Sequence, residues 1–308
     1  MFSITEVTTL NGIVQVREEQ YTGLRCRISP DRSKRHRDSQ TYIPPAPEDC
    51  PFCRDRIFTV TPPFPDGRRI TRGESVTFPN MFPFGEGHVV TVLTREHYVE
   101  VFTRQQIIDG LLSQTEALRR YDGYPSVNWN FLPSAGASLV HPHMQGLCDA
   151  RPSRIAGQYI DVSREYRNSH GRCYWDAIVE EESISDRYLA GDEIVWAAHG
   201  VPIGEREIRG YLPGSTLDDL EPWVDLLAQG ILDVITLYRN LGTYAFNMAV
   251  FFDRPGNDNG FRSFCSIISR INPNPSSTSD SAFMERLHME PVIMTLPEDL
   301  GLFFRKEK

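Results

Sequence analysis

Ala135-Gly136-Ala137-Ser138-Leu139-Val140-His141-Pro142-His143-Met144-Gln145-Gly146 is the stretch on which the reading of this chain turns. A run of small residues leads into two histidines separated by one proline. Side chains alternate across an extended segment, so His141, His143 and Gln145 project from one face while Pro142 fixes the backbone between them. One imidazole can bind a metal while the next stays free as a nucleophile, held in one tautomer by a hydrogen bond to its other nitrogen. The Gln145 amide offers N–H donors to an anion without competing as a base. A lone histidine is usually a satisfied structural residue; a pair placed like this asks for more.

Upstream of the motif, residues 127–132 read as a strand carrying Asn130, and residues 103–121 as an amphipathic helix with Ile107, Ile108, Leu111, Leu112 and Leu118 at helical spacing. Residues 88–93 are a β-branched strand, and His97 follows at its corner. Further back, residues 42–67 form a proline-rich, irregular loop containing Cys50-Pro51-Phe52-Cys53. A CxxC turn supplies two soft ligands, but a zinc site needs two more from elsewhere. Without them the cysteines are a redox pair or buried thiols. His97 and His141 are the best-placed partners. Residues 24–28 read as a short strand running into a basic loop, and the first twenty or so residues are polar and mixed.

The second half repeats this order. Residues 193–198 and 207–212 read as strands, 217–241 as a helix, and 244–252 as a strand carrying Asn247. Cys173-Tyr174-Trp175-Asp176 stands where the first half has its CxxC. Either one strand–helix–strand unit occurs twice, which is the preferred reading, or two α+β segments resemble each other by chance.

Composition excludes several classes. The 308 residues carry 32 Lys+Arg against 41 Asp+Glu, a net charge of −9, which argues against a general nucleic-acid binder. No apolar run is long enough for a membrane span, and the N-terminus lacks a signal-peptide pattern, so a cytoplasmic protein is expected. Without an export signal, its 6 cysteines do not suggest a disulfide framework.

Taken together, CxxC, a histidine after a VVTVL strand, an asparagine-bearing strand and AGASLVHPHMQ resemble the galactose-1-phosphate uridylyltransferase family of the histidine-triad superfamily. The likeness runs from about residue 22 to 146 and continues in element order beyond. It implies an α+β fold of two tandem histidine-triad-like units, antiparallel sheets with packed helices, over residues 1–165 (zinc site and HPHxQ) and 166–308. It implies one structural Zn²⁺ per chain on Cys50, Cys53, His97 and His141. His143 matches the nucleophile that takes a nucleoside monophosphate from a nucleotide sugar; Gln145 and Ser138 match residues at the transferring phosphate. Asn80, Asn130, Gly136 and Ala137 match the nucleotide pocket, and the stretch 22–35 is similar to the family's N-terminal segment, with Arg32 a candidate phosphate contact. A homodimer with active sites shared across the interface is implied, acting on a nucleotide sugar and a sugar phosphate.

Departures from the family pattern matter too. The stretch Phe261-Arg262-Ser263-Phe264-Cys265 lacks the histidines of a second metal site, which is therefore expected to be missing. Leu132 stands where the asparagine strand normally continues with glycine, and Met81 where an acidic ribose contact is usual. Glu285, Arg286, His288 and Glu290 either face an acceptor or lie on a surface helix, the preferred reading. The leading expectation is a nucleotidyltransferase working through nucleotidyl-His143. A phosphorylase or hydrolase using phosphate or water on the same fold, and a non-catalytic nucleotide-binding protein, are the alternatives.

Overall fold

The computed structural model describes residues 1–10, 12–34, 50–53, 56–271 and 280–307. The strands are β1 (Phe2–Thr9), β2 (Gly12–Glu19), β3 (Arg25–Ile28), β4 (Ile70–Arg72), β5 (Ser75–Pro79), β6 (Gly87–Val92) and β7 (Tyr124–Phe131). They continue with β8 (His143–Asp149), β9 (Tyr188–Ala190), β10 (Val195–Ala198), β11 (Ile208–Tyr211), β12 (Ala245–Phe251), β13 (Phe264–Arg270) and β14 (Val292–Ile293). The helices are α1 (Arg56–Val60), α2 (Arg104–Leu118), α3 (Arg154–His170), α4 (Tyr174–Ser183), α5 (Val224–Asn240) and α6 (Pro297–Glu307). The fold is α+β. No helix among the described residues is long and apolar enough to cross a membrane.

A ten-stranded antiparallel sheet in the order β4-β5-β6-β8-β7-β12-β13-β11-β10-β9 runs unbroken through both halves of the chain. The four strands around α2 lie in the order β5-β6-β8-β7, and the four around α5 in the order β10-β11-β13-β12. Each set reads first, second, fourth, third. Both helices cover the same side. Thr103 caps α2 through a capping box with Gln106, and Ile107, Leu111 and Leu118 face the sheet. Burying each such side chain contributes about 1.5–3 kcal/mol. Close contact is allowed by glycines: a Cβ on Gly110 would meet Leu93 Cδ2 at 2.3 Å, and one on Gly230 would meet the Trp196 ring at 2.2 Å.

On the opposite side of the C-terminal half, α3 and α4 pack Tyr159, Trp175, Phe261 and Phe264 into an aromatic cluster. Trp175 lies 5.4 Å from Phe261 and 5.3 Å from Phe264. The stretch expected to lack a second metal is thus built into a hydrocarbon core. The β1–β2 hairpin joins β3 and β14 in a second sheet. Buried Glu19 anchors it, accepting hydrogen bonds from Tyr159 and Tyr174 at 2.7 and 2.6 Å.

The structure refines several expectations. The polar first twenty residues form the β1–β2 hairpin. The 217–241 helix starts as two 3-10 turns, Leu217–Asp219 and Glu221–Trp223, because Pro222 has no N–H to continue an α-helical ladder; α5 begins only at Val224. Cys173 is the N-cap of α4. Met284–His288 is a single wide turn in which Glu285 accepts from the Ala282 and Val292 amides, while Glu290 pairs with Arg25 and Arg27. Parts of the 42–67 loop, the basic run 32–37 and the 272–297 segment lie outside the described residues.

Candidate active site and metal centre

Four central strands carry the predicted site. In register, Val92 pairs with His143, Val90 with Gln145, Gln145 with Asn128, and Asn130 with Asn247. Alternation sends Met144, Trp129, Met248 and Val250 into the core beneath α2 and α5. It turns His88, Gln145, Asn128, His143, Asn130 and Asn247 to the other face. Those four amide side chains are half-buried there.

Just before β8, His141 is fully buried and its Nδ1 lies 3.8 Å from Cys50 Sγ and 3.5 Å from Cys53 Sγ. His97 Nδ1 is 3.4 Å from Cys53 Sγ. The four ligand atoms all fall within 4.8 Å of one another. Tetrahedral zinc with about 2.3 Å Zn–S and about 2.05 Å Zn–N bonds requires sulfur–nitrogen separations of roughly 3.6 Å, so the donor set and its spacing fit. His141 Nε2 lies 2.8 Å from the Thr94 carbonyl, the outer hydrogen bond that orients a ligating imidazole. Burial pushes His141 down to about 4, so its ring is neutral.

His143 begins β8 and is buried, with the Phe52 ring 5.4 Å away. Its Nδ1 donates to the His141 carbonyl at 2.8 Å. That fixes the proton on Nδ1 and leaves the Nε2 lone pair without a partner among the described residues. Burial also lowers the affinity of this ring for a second proton.

Gln145 and Asn80 meet through a residue the sequence reading passed over. His88 Nε2 is 2.9 Å from Gln145 Oε1 and 2.9 Å from Asn80 Nδ2. Asn247, read from the sequence only as the counterpart of Asn130, also enters the site: its amide donates to Asn130 Oδ1 at 2.6 Å and to the Ala135 carbonyl at 2.7 Å. Both were signalled by a polar side chain within an otherwise apolar strand.

The turn before the motif is Pro133–Ala135, with Gly136 at φ 85°. Leu132 is buried at φ 72°, ψ 159°, a region essentially reserved for glycine. The backbone therefore keeps a glycine geometry although the residue is leucine. The amides of Gly136 and Ala137 are already bonded to Pro133 and Leu132 carbonyls at 2.9 and 3.3 Å, and Ser138 beyond them is exposed. Arg32 lies in the wall of a cavity of about 480 Å³ that Glu205, Arg270 and Glu285 also line.

No protein-family model matches the chain. An uncharacterized protein of Archaeoglobus fulgidus is 28% identical over 268 residues, 83% of this chain and 81% of that protein. An ADP-glucose phosphorylase from Arabidopsis thaliana, solved with bound ADP-glucose, has a TM-score of 0.74 at 17% identity, covering 95% of this chain and 99% of that one. A GalT-like protein from the same plant has a TM-score of 0.74 at 16% identity over 94% of this chain and 98% of its own. A uridylyltransferase follows with a TM-score of 0.70 at 19% identity, covering 94% and 97%. The chain shares the fold of these GalT-like structures, as its motif implies.

Proposed function

We propose that this GalT-like chain is a nucleotidyltransferase that moves a nucleoside monophosphate between a nucleoside-diphosphate sugar and a sugar 1-phosphate through a covalent bond to His143. One observation carries the reading: Nδ1 of His143 is tied to the His141 carbonyl at 2.8 Å, so Nε2 keeps its lone pair as the nucleophile.

Nε2 attacks the α-phosphorus, the bridging P–O bond breaks, and sugar 1-phosphate leaves. The imidazole, now bonded to phosphorus and protonated at Nδ1, is stabilised by the His141 carbonyl. A phosphate oxygen of the acceptor then attacks the same phosphorus and the P–N bond breaks, restoring His143. Such transfer depends mainly on positioning and charge stabilisation. Gln145, Ser138 and Asn130 supply N–H and O–H donors, and Asn80, Gly136 and Ala137 line the nucleotide side. Zinc on Cys50, Cys53, His97 and His141, one ion per chain, would fix the corner from which His143 projects. Arg32 is assigned to a phosphate contact in a homodimer.

The halves 1–165 and 166–308 are assigned to two tandem histidine-triad-like units, supported by their common strand order. A phosphorylase reading, with inorganic phosphate as acceptor, has support from the likeness to ADP-glucose phosphorylase. The test is incubation with UDP-glucose and ADP-glucose labelled in the α-phosphate. Acid-labile label on His143, chased off by a hexose 1-phosphate other than glucose 1-phosphate and not by inorganic phosphate, supports transfer. Chase by inorganic phosphate supports phosphorolysis, since glucose 1-phosphate only reverses the labelling step in either case. Turnover with no label at any time overturns the covalent mechanism.

A further inference from the structure

Arg270 and Asn247, both in the C-terminal half, form a hydrogen-bonded relay that ends on Asn130. Arg270 Nη1 donates to Asn247 Oδ1 at 2.6 Å, and its Nε donates to Asp280 Oδ1 at 2.7 Å. A guanidinium has no acceptor, so the polarity of every later link follows from it. Asn247 Oδ1 must accept, and Asn247 Nδ2 must donate. Its two recipients, Asn130 Oδ1 at 2.6 Å and the Ala135 carbonyl at 2.7 Å, are both acceptors, which agrees. With its oxygen engaged, Asn130 is left with an NH₂ group that has no partner among the described residues.

That group sits beside the nucleophile. Trp129 pairs with Met144 in the β7–β8 ladder, and continuing the register by one residue sets Asn130 next to His143 on the same face. We infer that Arg270 and Asn247 are positioning residues that lock Asn130 as a hydrogen-bond donor toward the oxygens of an anion bound at His143. In the opposite amide orientation, Asn130 would present a carbonyl oxygen and repel that anion. Asn247 also holds the Ala135 carbonyl, so the same relay steadies the turn leading to Ser138. The inference rests on the nucleotidyl-transfer reading only for the identity of the anion, since the relay's polarity is a property of the chain alone.

The relay is tested first without substrate, by hydrogen exchange of the side-chain amides in ¹⁵N-labelled protein. Asn247 Nδ2 protons should exchange at least about tenfold more slowly than those of Asn130, the factor expected where hydrogen bonds are made in one amide and absent in the other. In Asn247→Asp, the carboxylate still accepts from Arg270 but cannot donate. Asn130 should then turn over, and its protons become the protected ones. Equal or reversed protection in the wild type overturns the relay whatever the enzyme does.

The second arm measures UMP and AMP affinity and the single-turnover rate of His143 labelling. Asn247→Asp should weaken the tighter-binding nucleotide and slow labelling, each by about tenfold. Arg270→Lys, still purely a donor, should retain more function than Arg270→Leu at matched thermal stability. In an Asn130→Ala background, Asn247→Asp should lose most of its effect. An equal effect in both backgrounds shows that Asn247 only supports the turn. A correct exchange pattern with no nucleotide binding or labelling in the wild type would preserve the relay and overturn the proposed function instead.

Discussion

The carbonyl oxygen of His141 accepts a hydrogen bond from Nδ1 of His143 at 2.8 Å, so the residue that joins the cysteine pair also orients the candidate nucleophile. The coupling is short and passes through Pro142, which limits backbone freedom between them. Two residues of one motif therefore have separable duties, one structural and one chemical, and substitutions should separate them.

For the structural duty, elemental analysis should find one zinc per chain. Cys50→Ser or His97→Ala should lose it and lower the melting temperature by roughly 5–10 °C, corresponding to about 3 kcal/mol in a chain of this size. A chelator should have the same effect on the wild type and none on the variants. Well-folded protein free of zinc, with unchanged melting, would contradict the assignment.

For the chemical duty, His143→Ala should leave melting and zinc content near wild type and keep nucleotide binding. Turnover should fall by about a thousandfold or more, as expected when a covalent nucleophile is removed. Calorimetry with UMP and AMP beside a transfer assay separates the two effects. Undiminished turnover would exclude His143 as nucleophile.

Leu132 allows a sharper test of backbone geometry. Its φ of 72° with ψ 159° costs a non-glycine residue about 1–3 kcal/mol, while its buried side chain contributes packing energy. Leu132→Ala loses the packing and keeps the strain; Leu132→Gly loses the packing but relieves the strain. The glycine variant should therefore be more stable than the alanine variant by about 1 kcal/mol or more, the reverse of the usual order. Urea unfolding of the pair decides it.

Much of the fold was legible because its signals are local. The β-branched run at 88–93 and the helical spacing through Leu111 and Leu118 each specify an element on their own, and both fall within two or three residues of their observed bounds. The metal cluster was legible as chemistry, since a CxxC turn demands two further ligands. What sequence could not supply was cross-strand register. His88 becomes part of the site only because Gln145 lies within reach across β6 and β8, and Asn247 only because it pairs with Asn130. The α3–α4 pair was missed for another reason. Its apolar faces are built from Tyr159, Tyr174 and Trp175, whose hydroxyl and indole groups are satisfied internally, and such residues weaken an apolar stripe read from sequence.

Stability should depend on pH through His199, which is far from both candidate centres in sequence and fully buried. Burial lowers its pKa to about 4; the Arg209 guanidinium pushes the same way, and Glu207 opposes them. Its Nδ1 donates to the Val201 carbonyl at 2.8 Å and its ring packs edge-on against Phe2 at 5.5 Å, so the neutral form is built into the hairpin contact. In the unfolded chain the same imidazole titrates near 6.5. Between those values the unfolded state binds a proton that the native state refuses, so stability falls as pH drops from 6.5 toward 4 and is unaffected above 7. The loss due to this residue at pH 5 relative to pH 7.5 is about 2 kcal/mol. Other buried histidines add to the wild-type slope, so the measurement is a difference. His199→Gln, unfolded in urea at both pH values, should lose about 2 kcal/mol less than wild type on acidification. Equal losses in the two proteins would mean that His199 takes up its proton in the native state as readily as in the unfolded one.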